Sequence, residues 1–129
     1  MENKLIAFTI ALLLPFLYWR GLFLLAPHVF NKMALRTRTG LQIHHLHYGI
    51  VLIFLASLLF LMESESVFVL VLLGLGLGLV LDEFIASLLM PGDRPLELEV
   101  YRKSLFPTAA IFSFIVLLAA FWCLLTNPF

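Results

Sequence analysis

The stretch Ile43-His44-His45-Leu46-His47-Tyr48-Gly49 places three histidines directly before an uncharged, apolar run that continues to Met62. Two neighbouring acids, Asp82 and Glu83, interrupt the next apolar run just after a Gly-Leu-Gly-Leu-Gly segment. Ionisable residues inside apolar runs are costly and pair with one another. We therefore expect these two stretches to meet inside a membrane and to form one polar site.

The composition supports a membrane protein. Of the 129 residues, 63% are hydrophobic and 12% are charged, and the mean hydropathy is +1.09. A soluble domain carries about 25% charged residues, so lipid must solvate much of this chain. The charges of the eight basic and eight acidic residues cancel, so the formal net charge is zero. The sequence has no run of basic residues, which argues against a nucleic-acid partner. Cys123 is the only cysteine, which excludes an internal disulfide.

The apolar segments predict an all-α fold. About 20 apolar residues are needed to cross a bilayer as a helix. The segments that meet this requirement are roughly 5–27, 41–62, 67–90 and 105–125. We predict a four-transmembrane-helix bundle in a single domain, 1–129. The first segment is interpreted as a retained helix bent near Pro15, because no Ala-x-Ala cleavage site follows it.

The loops predict the orientation. Basic residues lie in the loop between the first two helices and in the loop before the fourth: Lys32, Arg36, Arg38, Arg94, Arg102 and Lys103. The turn between the second and third helices and the C-terminal tail have none. The positive-inside bias predicts short cytoplasmic loops, both termini outside and a multi-pass location in the cell inner (cytoplasmic) membrane. Within 96–101, alternating apolar and polar residues predict a short strand-like or interfacial piece.

The uncharged runs are too short to cross the hydrocarbon core of a membrane on their own. Stretches such as 5–19 and 67–81 reach about 22 Å, against a hydrocarbon core of about 30 Å. With the predicted orientation, Arg20, Asp82 and His47 each lie ~9–12 Å from the cytoplasmic end. We therefore expect three helices to bring ionisable groups to one depth inside the bundle.

Two glycines indicate close helix packing. Gly74 and Gly78 have the small-xxx-small spacing that lets a neighbouring helix approach, one turn before Asp82. A dinucleotide-binding loop is rejected for this segment, because no strand precedes it.

Neutral imidazoles and carboxylates together form the ligand set of zinc or non-haem iron. His44 and His47 are three residues apart and share a helical face. We hypothesise a divalent-metal site, Zn or Fe, bound by His44, His47 and Asp82. Since Asp82 and Glu83 cannot point the same way on a helix, one would ligate and the other would orient a ligand or act as the catalytic base, a role assigned to Glu83.

Three further residues are expected around this centre: His45, Arg20 and Tyr48. On a helix His45 points about 100° away from His44; if the segment is unwound, His45 and His47 fall on one side instead. A second interpretation needs no metal. Arg20 would pair with one acid, a histidine would donate to the other, and the network would hold the bundle together.

His-His-Leu-His-Tyr-Gly at 44–49, followed by Gly-Leu-Gly-Leu-Val-Leu-Asp-Glu-Phe at 76–84, resembles a pattern found in small prokaryotic integral membrane proteins with no established activity. The resemblance covers about 43–84 and leaves the first and fourth helices unmatched. It implies that the two motifs occur as a pair and implies no particular chemistry. Membrane desaturases and hydroxylases use more histidines, in HxxHH-type boxes that this chain lacks.

These observations leave three functions open. The first is a metal-dependent enzyme, open to the cytoplasmic side, that acts on a lipid or amphiphilic substrate. The second is a non-catalytic membrane subunit or scaffold that meets a protein partner or a second copy of the chain. The third, proton or ion movement, is ranked last because the outer part of every helix lacks charge.

Overall fold

The computed structural model describes residues 2–30, 44–62, 66–89 and 94–126. All regular structure within these ranges is helical, which confirms the predicted all-α class. The helices are α1 (Glu2–Leu25), α2 (Pro27–Phe30), α3 (His45–Leu61), α4 (Val67–Leu89), α5 (Arg94–Lys103) and α6 (Leu105–Thr126).

Helix length separates α3 from the other apolar helices. The helices α1, α4 and α6 have 24, 23 and 22 residues, and each contains a segment long and apolar enough to cross a membrane. Helix α3 is apolar but has 17 residues, or about 25 Å. The described chain is therefore a multi-pass helical membrane protein with three long candidate spans and one shorter apolar helix.

Local chemistry explains where two of these helices begin and end. Helix α1 ends at Leu25, and Pro27 is the first residue of the single turn α2. The first N–H groups of a helix have no partner within it, so the N–H that proline lacks costs nothing there. Helix α3 begins at His45, and the preceding His44 is extended, with φ −102° and ψ 160°. The predicted start of this helix, 41–43, lies outside the described residues.

The strand-like prediction for 96–101 is wrong, because these residues belong to α5. Pro95 falls in the first turn of that helix, where proline is tolerated. Lys103 and Glu99 form an i,i+4 ion pair of 2.6 Å. The helical pattern continues into α6, because the Ser104 N–H donates to the Val100 carbonyl and the Thr108 N–H donates to the Ser104 carbonyl.

Helix α4 lies at the centre of the fold. Helix α1 packs along one side of it and α3 along another, while α6 contacts both α4 and α1. Glycines on two faces of α4 permit these approaches. A Cβ at Gly74 would lie 2.7 Å from the Phe8 carbonyl oxygen of α1, and one at Gly76 would lie 2.9 Å from the Gly49 carbonyl oxygen of α3.

Apolar side chains cover the outside of the helices. Leu17, Phe54 and Leu117, on three different helices, are 63%, 62% and 69% exposed. Exposure of large apolar residues all around a helical chain is typical of a surface in contact with lipid tails. Most of the buried polar side chains lie instead at one end of α4, around Asp82.

Candidate functional site: an ion-pair network at one end of α4

Asp82 is fully buried, and both of its carboxylate oxygens have partners. Oδ1 accepts from Arg20 Nε at 2.6 Å. Oδ2 accepts from the Tyr101 hydroxyl at 2.7 Å and lies 3.0 Å from His45 Nε2. Side chains from α1, α3 and α5 therefore converge on one carboxylate of α4.

Arg20 connects four helices. Besides Asp82 Oδ1, its guanidinium donates to the Asp82 carbonyl oxygen at 2.7 Å and to the Tyr101 carbonyl oxygen. It also reaches Ser104 Oγ at 3.2 Å and Thr108 Oγ1 at 3.4 Å. Its central carbon lies 3.7 Å from the centre of the Tyr101 ring. Because Arg20 is 3% exposed, these bonds replace the water that a guanidinium normally requires.

Glu83 points towards the beginning of α3 rather than towards Arg20. Its Oε1 lies 2.6 Å from His44 Nδ1, and its Oε2 accepts from the Leu46 N–H at 3.0 Å. The first N–H groups of a helix lack partners within that helix and carry a partial positive charge. Glu83 thus caps α3 from a neighbouring helix, which explains why α3 begins where it does.

His45 lies between the two acids. Its Nε2 is 3.0 Å from Asp82 Oδ2 and its Nδ1 is 3.6 Å from Glu83 Oε2. The ring stacks on Trp19 of α1, with centroids 5.0 Å apart and an interplanar angle of 10°. His45 thus contacts both acids and the face of the Trp19 ring.

His47 and Tyr48 lie at the edge of the site. His47 is exposed, and its Nδ1 is 3.1 Å from the backbone nitrogen and 3.2 Å from the carbonyl oxygen of His44. The His44 and His47 rings are nearly parallel, with centroids 6.2 Å apart. Tyr48 is 52% exposed. His47 contacts His44, whereas His44 and His45 contact the acids.

Three polar residues of the site were missed in the sequence. Tyr101, Ser104 and Thr108 are buried and bond to Arg20 or Asp82. Their i, i+3, i+7 spacing is a helical stripe that could have revealed them, had 96–101 been predicted as helix. Burial, with the Asp82 charge as a second cause, raises the pKa of the Tyr101 hydroxyl well above its ordinary value. Tyr101 therefore remains a hydrogen-bond donor at physiological pH.

The predicted convergence is confirmed as a buried network of Arg, His, Asp and Glu side chains. Arg20 pairs with Asp82, and His44 pairs with Glu83, as the interpretation without a metal expects. Across the described residues, no group of three or more His, Cys, Asp or Glu side chains is arranged to hold a metal ion. The metal set His44, His47 and Asp82, and the role of Glu83 as a base, stay predictions.

Comparisons with known proteins add no family. No protein-family model, no curated protein and no solved structure matches this chain. The resemblance to small prokaryotic membrane proteins therefore also stays a prediction.

Proposed function

We propose that this chain is a non-catalytic membrane subunit whose polar network holds its helices in one register. The polar network here means Arg20, His44, His45, Asp82, Glu83 and Tyr101. The observation that carries the proposal is the set of bonds made by Arg20, which extend from α1 to α4, α5 and α6. A helix that slid or rotated would leave part of this guanidinium buried without acceptors, at a cost of several kcal/mol.

The partners of the two acids support a structural role. Two buried carboxylates need donors or cations to replace the water that they lose. Arg20 and Tyr101 donate to Asp82, and the Leu46 N–H donates to Glu83. His45 lies between the two acids. The protein's own side chains and backbone thus provide partners for both buried acids.

A double-mutant cycle on Arg20 and Asp82 tests the proposal. Arg20→Met leaves Asp82 buried without its main cation, and Asp82→Asn leaves Arg20 without its anion, so each is expected to cost about 3–5 kcal/mol. The double variant is expected to cost clearly less than the sum, because neither charge is left unpaired. The measurement is reversible unfolding in mixed micelles.

Lys103→Met is the matched control. It removes one member of the Glu99–Lys103 pair, whose side chains are 53% and 69% exposed, so its effect is expected to stay below about 1 kcal/mol. Arg20→Met and Asp82→Asn variants as stable as the control would contradict the structural role of the network.

One observation favours the alternative, a metal-dependent enzyme on a lipid or amphiphilic substrate. The contact between Glu83 and His44 Nδ1 is the arrangement in which a carboxylate orients a metal-binding histidine. In that alternative Glu83 is occupied by the His44 ring and the Leu46 N–H, so it serves to orient rather than to act as a base. Metal analysis of protein purified without a histidine tag tests it, and zinc or iron near one ion per chain is the expected result.

A further inference from the structure

We propose that Arg102, Lys103 and Phe106 form a binding site for an anionic phospholipid, in the leaflet on the side of the polar network. The three residues lie at the junction of α5 and α6. None of them belongs to the polar network, so the site goes beyond the structural function proposed above and does not depend on it. It assigns the chain a partner of defined charge.

The junction between the two helices directs the cations and the aromatic ring outward. Tyr101 is buried in the polar network, whereas the next two residues, Arg102 and Lys103, are exposed. Main-chain hydrogen bonds made by the N–H and the carbonyl of Ser104 continue the helical spacing from α5 into α6. Phe106 follows Arg102 by four residues and Lys103 by three, so it lies on the same face as both. Its side chain is 86% exposed.

The spacing of these residues matches the layers of a lipid leaflet. The candidate membrane span of α6 begins at Leu105, so Phe106 lies in the first turn of that span. Arg102 precedes Phe106 by about 6 Å along the helix axis. The headgroup region of one leaflet is about 5–7 Å thick, which places the two cations beside the headgroup and the ring beside the start of the acyl chains.

Arg102 is the cation best placed to bind a phosphate group. Lys103 Nζ forms an exposed ion pair with Glu99 Oε1 at 2.6 Å. In contrast, no hydrogen bond or ion pair joins the Arg102 side chain to another residue in the described ranges. A guanidinium binds a phosphate through two parallel hydrogen bonds. Exposed ion pairs are weak, so Lys103 can exchange Glu99 for the same phosphate.

The exposed ring favours a lipid over a soluble anion. Phe106 loses contact with water when it packs against an acyl chain, and a soluble phosphate compound offers no such apolar surface. Charge then distinguishes among lipids. A zwitterionic headgroup carries an ammonium group of its own, whereas an anionic headgroup has the net negative charge that exposed Lys and Arg side chains attract.

The test is a titration of lipids into the full chain, stripped of bound lipid and held in a nonionic detergent, with bound lipids counted by native mass spectrometry. Phosphatidylglycerol and phosphatidylcholine with identical acyl chains are titrated separately. We expect one phosphatidylglycerol per chain, bound about fivefold or more tightly than phosphatidylcholine, because each basic residue near an anionic lipid contributes about a factor of five. Glycerol phosphate, added at the same concentration as the lipid, is expected not to displace it.

Three variants test the members of the site. Arg102→Gln is expected to weaken phosphatidylglycerol binding about fivefold, and a double variant that also carries Lys103→Gln should lose the preference over phosphatidylcholine. Phe106→Ala keeps both cations and removes the contact with the acyl chain, so it is expected to weaken binding of both lipids. The matched control is Lys4→Gln, which removes one exposed basic charge at the beginning of α1 and should leave both affinities unchanged.

Five results would overturn the site. They are equal binding of the two lipids by the unaltered chain, an undiminished preference in the double variant, unchanged binding of both lipids by Phe106→Ala, a loss in Lys4→Gln as large as in Arg102→Gln, and displacement of the lipid by glycerol phosphate at equal concentration. Arg102→Gln breaks no bond among the described residues, so its thermal midpoint in phosphatidylcholine micelles should match that of the unaltered chain. The structural proposal rests on Arg20 and Asp82 and is tested separately.

Discussion

Asp82 is the residue on which the site depends, because a carboxylate inside a membrane must have every lone pair directed at a donor or a cation. Arg20, His45 and Tyr101 meet that need from three different helices. Glu83, the next residue, faces another direction and binds the first turn of α3. Two adjacent acids thus bind different neighbours, because successive residues on a helix point about 100° apart.

Tyr101→Phe tests the contribution of a single donor at this scale. The change removes the hydroxyl that donates to Asp82 Oδ2 at 2.7 Å and keeps the ring that stacks under Arg20. A lost hydrogen bond to a charged acceptor is expected to cost about 1.5–3 kcal/mol of unfolding free energy in detergent. Tyr48→Phe is the control, since that side chain is half exposed, and it should be near neutral. Equal effects of the two changes would count against the role of the Tyr101 hydroxyl.

At the scale of helices, the packing of α4 explains how the network forms. Its glycines remove side chains on two faces, so that α1 and α3 approach from different sides. Gly74 and Gly78 face α1, as their spacing predicts for close packing, while Gly76 faces Gly49 of α3. This close approach brings Arg20 of α1 and the histidines of α3 within reach of the two acids one turn further along α4.

Gly76→Ala and Gly21→Ala separate close packing from helix propensity. A methyl group at Gly76 would lie 2.9 Å from the Gly49 carbonyl oxygen, so α3 must shift, at an expected cost of about 1–3 kcal/mol. A Cβ at Gly21 meets nothing within 4 Å, and alanine there should be neutral or stabilising by up to about 1 kcal/mol. Thermal unfolding in detergent measures both, and a Gly76→Ala variant as stable as Gly21→Ala would show that α3 and α4 do not pack this closely.

At the scale of the whole molecule, the polar network lies at one end of an otherwise apolar set of helices. The end that holds Arg20 and Asp82 also carries α5, which ends with Arg102 and Lys103. The positive-inside bias predicts that this end faces the cytoplasm and that the polar network lies on the cytoplasmic side of the membrane.

Cysteine labelling tests this orientation. In a Cys123→Ser background, Ser64→Cys lies in the turn predicted outside and Thr39→Cys lies in a loop predicted inside. A membrane-impermeant maleimide should label the Ser64→Cys variant in intact cells, and should label Thr39→Cys after the membrane is permeabilised. The opposite pattern would invert the predicted topology and place the polar network on the outer side.

The sequence by itself determined the membrane class, the apolar helices and the end of the molecule where Arg20, Asp82 and a histidine meet. These features follow from local hydropathy and from distance along a helix, both of which are properties of the chain in order. The tertiary structure alone decided that His45 rather than His47 meets Asp82, that Glu83 caps α3, and that Tyr101 of a helix predicted as strand completes the site. Those pairings depend on how each helix is rotated about its axis and on which helix packs against each glycine face of α4. The spacing of residues along one segment determines neither of these.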